Sequence, residues 1–191
     1  KFTSFYAATE EKHDARNFDN KNKTLIKTRG IEVGHIFHFG QKYSLPMRAT
    51  ISDREGENIP VFMGSYGVGL SRLVGAVIEA NHDQNGIIWP PEISPWKYNI
   101  INLKSGDKDC DNICSHLYND INNSTSNVFY DDTDERAGAK LARADLIGLP
   151  HQIIIGPKGI KEELYDLKCR KSGDISRLPY NELLNFIQTN K

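Results

Sequence analysis

Met63-Gly64-Ser65-Tyr66-Gly67-Val68-Gly69-Leu70-Ser71-Arg72-Leu73-Val74-Gly75-Ala76-Val77-Ile78-Glu79 is the stretch around which the rest of this chain is organised. The apolar run Ile59 to Met63 leads into it, and glycines punctuate it. Apolar residues then recur at Leu70, Leu73, Val74, Val77 and Ile78, the spacing of one buried helical face. The pattern predicts a strand, a glycine loop and a helix. Gly67 and Gly69 lack the Cβ that would hold a ligand off the backbone, and a helix start gathers unpaired N–H groups that attract anions. Arg72 falls about 200° round the helix from Leu70, away from the apolar stripe. A cation is thus expected at the mouth of an opening suited to phosphate. G-x-x-G-x-G is not the dinucleotide order G-x-G-x-x-G, so on the residues alone an ordinary glycine turn before a helix stays open beside a nucleotide site.

Upstream, Thr28-Arg29-Gly30-Ile31-Glu32-Val33-Gly34-His35-Ile36-Phe37-His38-Phe39-Gly40 has the composition of a strand. Its period puts Val33, His35, Phe37 and Phe39 on one face and Glu32, Gly34, Ile36 and His38 on the other. Burying an unpaired polar group costs on the order of 1 to 3 kcal/mol, so chemistry alone favours a hydrogen-bonded core histidine over a ligand-binding one. Between the two stretches, Met47 to Ser52, the turn Asp53-Arg54-Glu55-Gly56 and Ile59 to Met63 have the order of a hairpin. After Glu79, Asn81 to Gly86 is expected to end the helix, with His82 as a cap or dipole partner, and Ile87-Ile88-Trp89-Pro90-Pro91 to stop regular structure.

Pro90, Pro91 and Pro95 mark a domain boundary, dividing the chain into residues 1–92 and 93–191. Beyond it the pattern alternates. Strands are expected at Tyr98 to Leu103, Asn127 to Tyr130, His151 to Ile155 and Leu164 to Cys169, and helices at Asp107 to Asn119, Gly138 to Ile147 and Asn181 to Gln188. The expected fold class is therefore α+β followed by α/β, the second part a mixed sheet with helices on its faces. Cys110 and Cys114 sit one turn apart on the first of these helices, in a stripe with Ile113 and Leu117. Four well-spaced ligands are missing, so zinc is not expected and metal ligands are assigned to none.

A length of 191 residues with 38% hydrophobic content allows a buried core and one or two domains. The net charge of −1 excludes a global basic field, so any RNA contact needs a local patch. Three cysteines suggest a reducing compartment, and no apolar run reaches the ~20 residues of a membrane span. A cytoplasmic protein without membrane contact is expected. Lys1 opens the sequence and Phe5-Tyr6-Ala7-Ala8 has the composition of a strand already under way, so the chain is expected to begin inside a domain. Glu10 to Lys27, with Asn17, Asp19, Asn20 and Asn22, reads as an exposed connector in which His13 and Asp14 are solvated neighbours.

Gly67-Val68-Gly69-Leu70-Ser71-Arg72, with Ser65-Tyr66 before it, resembles motif 3 of the class II aminoacyl-tRNA synthetases and in particular their bacterial prolyl branch. Ser71 departs from the general class II acid, and the prolyl branch usually carries a small residue there. The stretches Arg29 to Phe37 and Phe39 to Ser44, Gly86-Ile87-Ile88-Trp89-Pro90, Tyr130 to Lys140 with its Asp131-Asp132-Thr133-Asp134-Glu135-Arg136 run, and Ala144 to Lys158 are similar to the same family. The resemblance implies proline and ATP, the latter with Mg²⁺, as substrates, tRNA(Pro) as partner, and a homodimeric parent enzyme. It implies Arg72 as the catalytic cation on ATP phosphate, and Glu32, His35, Ser65, Gly67 and Gly69 as lining the substrate pocket. It further implies anticodon or tRNA contacts at Arg136, Lys140, Asp145, Gln152, Lys158, Lys168 and Arg170. Gln152 often has arginine in its place in relatives. Carboxylates can accept from guanine donors and guanidinium groups suit guanine acceptors, so paired acids and bases fit a proline anticodon with its two guanines.

Motifs 1 and 2 of the family are absent, so the resemblance covers a C-terminal portion, and this polypeptide alone is expected to be inactive. Two other classes stay in view. A non-catalytic RNA- or protein-binding module would keep the second domain alone. An ordinary nucleotide-binding enzyme would need an acidic ribose partner after a following parallel strand, and none is convincing.

Overall fold

In the computed structural model the described residues are 8–14, 16, 26–125 and 127–190. The chain divides into two compact units, Lys1–Glu32 and Val33–Lys191. In the first, a 3-10 turn spans Glu10–Lys12, Arg16 donates to the Asp14 carboxylate at 2.8 Å, and Lys27 Nζ donates to Glu10 Oε1 at 2.5 Å. These residues are polar and mostly exposed, in line with a connector. The strand expected from Phe5 and the turns expected at Asn17, Asp19, Asn20 and Asn22 lie outside the described residues.

The second unit opens with β1 (Gly34–Gly40), α1 (Ser44–Met47), β2 (Thr50–Ser52) and β3 (Asn58–Pro60), followed by β4 (Met63–Val68) and α2 (Leu70–Ala80). β2 and β3 form the expected hairpin. Its turn is held by the Asp53 carboxylate, which accepts from the backbone N–H groups of Glu55 and Glu57 at 2.9 Å, and by Gly56 at φ +84°. The glycine stretch differs from expectation. It is itself a strand, β4, paired antiparallel with β1 over Gly34↔Val68, His35↔Gly67, Ile36↔Tyr66, Phe37↔Ser65 and His38↔Gly64, and the loop shrinks to Gly69. Glycine serves close pairing here: a Cβ at Gly34 would lie 3.1 Å from the Gly67 carbonyl oxygen, and one at Gly64 3.1 Å from that of Phe37. The apolar stripe of α2 follows the helical period, but none of it is buried. Leu70 is 75% exposed and Val74 52%, because no described element covers that face.

α2 ends at Asn81, whose side chain donates to the Val77 carbonyl at 2.8 Å. His82 is not the expected cap. It pairs with Ile87 in a small hairpin of β5 (His82–Asp83) and β6 (Gly86–Ile87). The Asp83 carboxylate builds the turn by accepting from the N–H groups of Asn85 at 2.8 Å and Gly86 at 3.1 Å, so the helix ends where expected and the turn formers go on to make a hairpin.

After the proline segment come β7 (Tyr98–Asn102), α3 (Lys108–Thr125), β8 (Val128–Asp131), α4 (Ala137–Ile147) and β9 (His151–Ile155). α5 (Pro157–Glu162), β10 (Tyr165–Cys169), β11 (Ile175–Leu178) and α6 (Tyr180–Thr189) complete the unit; of these, α5 and β11 were not expected. The five strands form one mixed sheet in the order β11-β10-β9-β7-β8, with β7 parallel to β8 and β9 and the remaining pairs antiparallel. β7 is central, and all five of its residues are buried, as a strand covered on both faces requires. One face packs Tyr98, Ile100, Ile153, Ile155, Tyr165 and Leu167 against Cys114, Leu117 and Ile121 of α3 and Leu183 and Ile187 of α6. Asp107 caps α3 through the Cys110 N–H at 3.2 Å, and both Cys110 and Cys114 lie buried in the expected stripe. The opposite face turns Gln152 towards α4. No helix among the described residues is long and apolar enough to cross a membrane.

The hairpin β5–β6 docks on the C-terminal end of α4, backbone against backbone. Gly148 ends α4 at φ +78°, and a Cβ there would stand 1.9 Å from the Ile87 carbonyl oxygen; one at Gly86 would stand 2.3 Å from the Leu146 Cα. Trp89 donates its backbone N–H to the Gly148 carbonyl at 3.1 Å and its indole N–H to that of Ile147 at 3.0 Å, satisfying carbonyls that a helix end leaves without partners. Gly148→Ala introduces both a left-handed alanine and this clash. We expect it to destabilise the chain by about 1 to 3 kcal/mol in urea unfolding, and a change within experimental error would contradict the close approach.

Candidate functional site

The first set of candidate residues gathers on the β1–β4 ribbon. Residues directly opposite in an antiparallel pair share a face, so His35 and Gly67 lie side by side, and Phe37 and Ser65 next to them. The His35 ring stacks on Phe37 with centroids 4.0 Å apart, and Phe37 stacks on Phe39 at 5.9 Å, which follows the expected shared face. His35 is exposed, so it is not the buried core histidine that chemistry alone favoured. No atom would lie within 4 Å of a Cβ at Gly67, so this face of the ribbon is open beside the imidazole. Gly69 is the N-cap of α2 and offers no side-chain cap; its N–H donates to the Val33 carbonyl at 2.9 Å. A Cβ there would sit 3.3 Å from that of Arg72, which places the arginine in the first turn of the helix beside the end of β4. The first turn carries no acidic residue, so the positive end of its dipole stands beside a guanidinium. Glu32 is exposed and ends the first compact unit. Among the described residues no group of three or more His, Cys, Asp or Glu could hold a metal ion.

The second set divides between the two ends of α4. Asp145, Gln152, Lys168 and Arg170 come together at its C-terminal end. Gln152 and Lys168 are neighbours across β9 and β10, so both side chains rise from one face of the sheet under Asp145. Lys168 Nζ donates to the two Asp145 oxygens at 2.6 and 2.9 Å, Gln152 Nε2 to Oδ1 at 2.9 Å, and Arg170 Nε to the Asp145 carbonyl at 3.0 Å. Burial pushes the Asp145 carboxyl up, but these hydrogen bonds and the charges of Lys168 and Arg170 outweigh it and hold the pKa below its ordinary 3.8. Gln152 is fully buried, and its Oε1 and the neighbouring Asn99 Oδ1 have no hydrogen-bond partner among the described residues. Arg170, with 4% of its side chain exposed, spends both terminal nitrogens on Asp83, at 2.8 and 2.7 Å.

Arg136, Lys140 and Lys158 lie at the other end, where the parallel strands finish. Nine residues of helix separate Arg136 from Asp145, about 13 Å of rise. Arg136 is exposed at the N-cap of α4 and Lys158 is exposed in the first turn of α5. Lys140 is fully buried, donating to the Asn102 carbonyl at 2.6 Å and to Ser105 Oγ at 2.8 Å. Contact with an RNA phosphate would require it to give up both acceptors, so in this structure its ammonium braces the loop after β7.

Two further residues were not singled out from the sequence. Arg143 reaches back from α4 to Asp131 at 2.7 Å, Glu135 at 2.9 Å and Thr133 Oγ1 at 2.6 Å, and so fixes the acidic run while Asp132 and Asp134 stay exposed. The N-cap of α4 is Arg136, which makes no side-chain cap bond. Burial raises the Asp131 carboxyl, yet the bonds from Thr133 and Arg143 prevail and its pKa is lowered. Asp83 was hidden because its partner Arg170 is 87 residues away. Its only local signal was the Asp-x-Asn-Gly turn, and the Arg170 hydrogen bonds hold its carboxyl well below the usual range.

A family model described as "Anticodon binding domain" matches residues 97–190. Among curated proteins, the proline–tRNA ligase of Caulobacter vibrioides is 50% identical over 190 residues, covering 99% of this chain and 43% of that protein. Those of Parvibaculum lavamentivorans and Rhodospirillum rubrum are 53% identical over 179 residues and 50% over 183, covering 40% and 42% of their lengths. The chain thus spans about two-fifths of the length of the curated relatives it matches.

The lowered carboxyls set the acid response. Asp131 and Asp145 hold their protons more weakly folded than unfolded, so their stabilisation is complete above the unfolded value near 3.8 and fades as pH falls through the lower folded values. His151, whose pKa burial and then Lys97 push below 6.5, acts with the same sign at higher pH. Thermal melts should therefore show a first loss of stability as pH drops below about 6.5 and a second below about 4. His151→Gln should flatten the first without touching the second. A melting temperature constant from pH 8 to 3 would contradict both assignments.

Proposed function

We propose, from the match of residues 97–190 to the anticodon-binding domain model, that this chain is the anticodon-reading part of a proline–tRNA ligase together with part of its catalytic domain. The observation that carries the reading is half-identity to proline–tRNA ligases over 99% of the chain. On this reading residues 1–92 belong to the catalytic domain and 93–191 to the anticodon-binding domain, and the longer protein activates proline with MgATP and charges tRNA(Pro) as a homodimer. Exposure of Leu70, Val74, Ile36 and Tyr66 supports the partition, since an amphipathic helix and a strand ribbon without cover are what part of a larger sheet domain presents.

The catalytic part works by holding and orienting. The proline carboxylate attacks the α-phosphorus of ATP, an acyl-phosphate bond forms, and pyrophosphate leaves. Arg72, backed by the N-terminal end of α2, stabilises charge developing on the phosphate oxygens. His35, Ser65 and Gly67, sharing one ribbon face, line the pocket, and Glu32 orients substrate. Mg²⁺ arrives with ATP as part of the substrate, in keeping with a metal that leans on phosphate oxygens. In the tRNA-binding part, Arg136 and Lys158 contact phosphate, and Asp145 with Lys168 meets the anticodon guanines. Lys140, Gln152 and Arg170 act by holding these groups in place.

Two measurements test this. The chain should bind an RNA stem-loop carrying the proline anticodon more tightly than one with both guanines changed to adenine. Arg136→Ala and Lys158→Ala should each weaken both complexes alike and lower the salt slope by about one. Equal affinity for the two loops would refute anticodon reading. In the full ligase bearing this sequence, Arg72→Ala should lower proline-dependent ATP–pyrophosphate exchange by about 2.7 to 4 kcal/mol of transition-state stabilisation. An unchanged rate would remove Arg72 from the mechanism.

A further inference from the structure

Arg170 joins two parts of the chain that neither tRNA reading nor substrate binding needs to connect. Its Nε donates to the Asp145 carbonyl at the end of α4, and its two terminal nitrogens form a bidentate pair with Asp83 in the β5–β6 hairpin. The same Nε lies 3.9 Å from the Asp145 carboxylate, so Arg170 addresses Asp145 from both its backbone and its side chain. The hairpin in turn begins directly after Asn81, the C-cap of α2, the helix that carries Arg72.

We propose that the Asp83–Arg170 pair is a positioning latch that couples occupation of the Asp145 carboxylate by a guanine to the packing of the helix carrying Arg72. The proposal rests on the anticodon-reading assignment of Asp145. Both Asp145 oxygens are already taken by Lys168 and Gln152, so a guanine donating its N1–H and N2–H to them must displace at least one. Freeing Lys168 changes the charge beside Arg170 and the seat of the last turn of α4. That turn meets the hairpin through Gly148 against Ile87 and Gly86 against Leu146, backbone on backbone, and through the Trp89 hydrogen bonds. No compliant side chain lies between, so a shift of the helix end is passed on rather than absorbed. The bidentate pair makes the hairpin follow. Loss of its charge should leave each end intact and uncouple them.

Amide hydrogen exchange on the full chain tests this. Peptides covering residues 70–87 are followed free and saturated with the proline-anticodon stem-loop, with the adenine-substituted loop as control. We expect the guanine loop, and not the control, to change exchange across these residues by about fivefold or more, the lower end of ordinary coupling between sites. Asp83→Asn keeps the acceptor oxygen that builds the turn and removes the charge. It should bind the stem-loop with comparable affinity and lose the exchange response. A response preserved in Asp83→Asn, or wild-type binding with no response at 70–87, overturns the latch. A wild-type chain that does not distinguish the two loops in the binding titration overturns the anticodon reading itself and the latch with it, a failure seen before any exchange is measured.

Discussion

The C-terminal end of α4 is where this structure is most constrained. Two glycines let the β5–β6 hairpin approach that end to a distance no side chain would permit, and the carbonyls exposed by the ending helix find donors in Trp89 and Arg170. A helix terminus buried without such partners would leave several acceptors unsatisfied at about 1 to 3 kcal/mol each. The constraint runs in both directions. The hairpin needs α4 to complete its packing, and α4 needs the hairpin and Trp89 to complete its hydrogen bonds.

From this joint the polar arrangement of the sheet follows. One face is an ordinary apolar core under α3 and α6. On the other, Gln152 and Lys168 lie side by side and converge on Asp145 from beneath, with Arg170 alongside. Most of these groups are satisfied by each other; Gln152 Oε1 and Asn99 Oδ1, from residues paired across β9 and β7, have no partner among the described residues. Such a patch adds little net stability for its degree of burial, because desolvation offsets much of the ion-pair attraction. The bonds from Lys168 and Gln152 hold the Asp145 carboxylate in a fixed orientation. At the far end of α4 the logic is different: Lys140 is consumed by internal bracing, whereas Arg136 and Lys158 face solvent.

The period of the sequence made most of the second module legible. Ile100 and Ile153 alternate into one core face, Cys110, Cys114 and Leu117 recur at helical spacing, and the strand at His151–Ile155 matches its expected limits. α5 and β11 escaped because Pro157-Lys158-Gly159 reads as a turn and Ile175–Leu178 is a short, half-polar edge strand with little apolar contrast. The glycine stretch was assigned to a loop because glycine disfavours strands. Pairing with β1 overrode that propensity, since Gly34 and Gly64 pass carbonyls that side chains would crowd. The helix after it was placed by its stripe, yet burial of that stripe depends on a covering element that no periodicity within α2 can report.

By itself, then, the sequence determined the local and the periodic: most of the strands and helices of the second module, which faces are apolar, where prolines break the chain, and which residues carry charge. These depend on neighbours a few positions apart. Only the tertiary structure decided which charges meet. Asp83 finds Arg170 across 87 residues, Lys168 and Gln152 reach Asp145 on α4 from two adjacent strands, and Lys140 turns inward to the Asn102 carbonyl. Hydrogen bonds act over about 3 Å in space regardless of separation along the chain. The partner of a side chain is therefore fixed by the fold that brings it within reach.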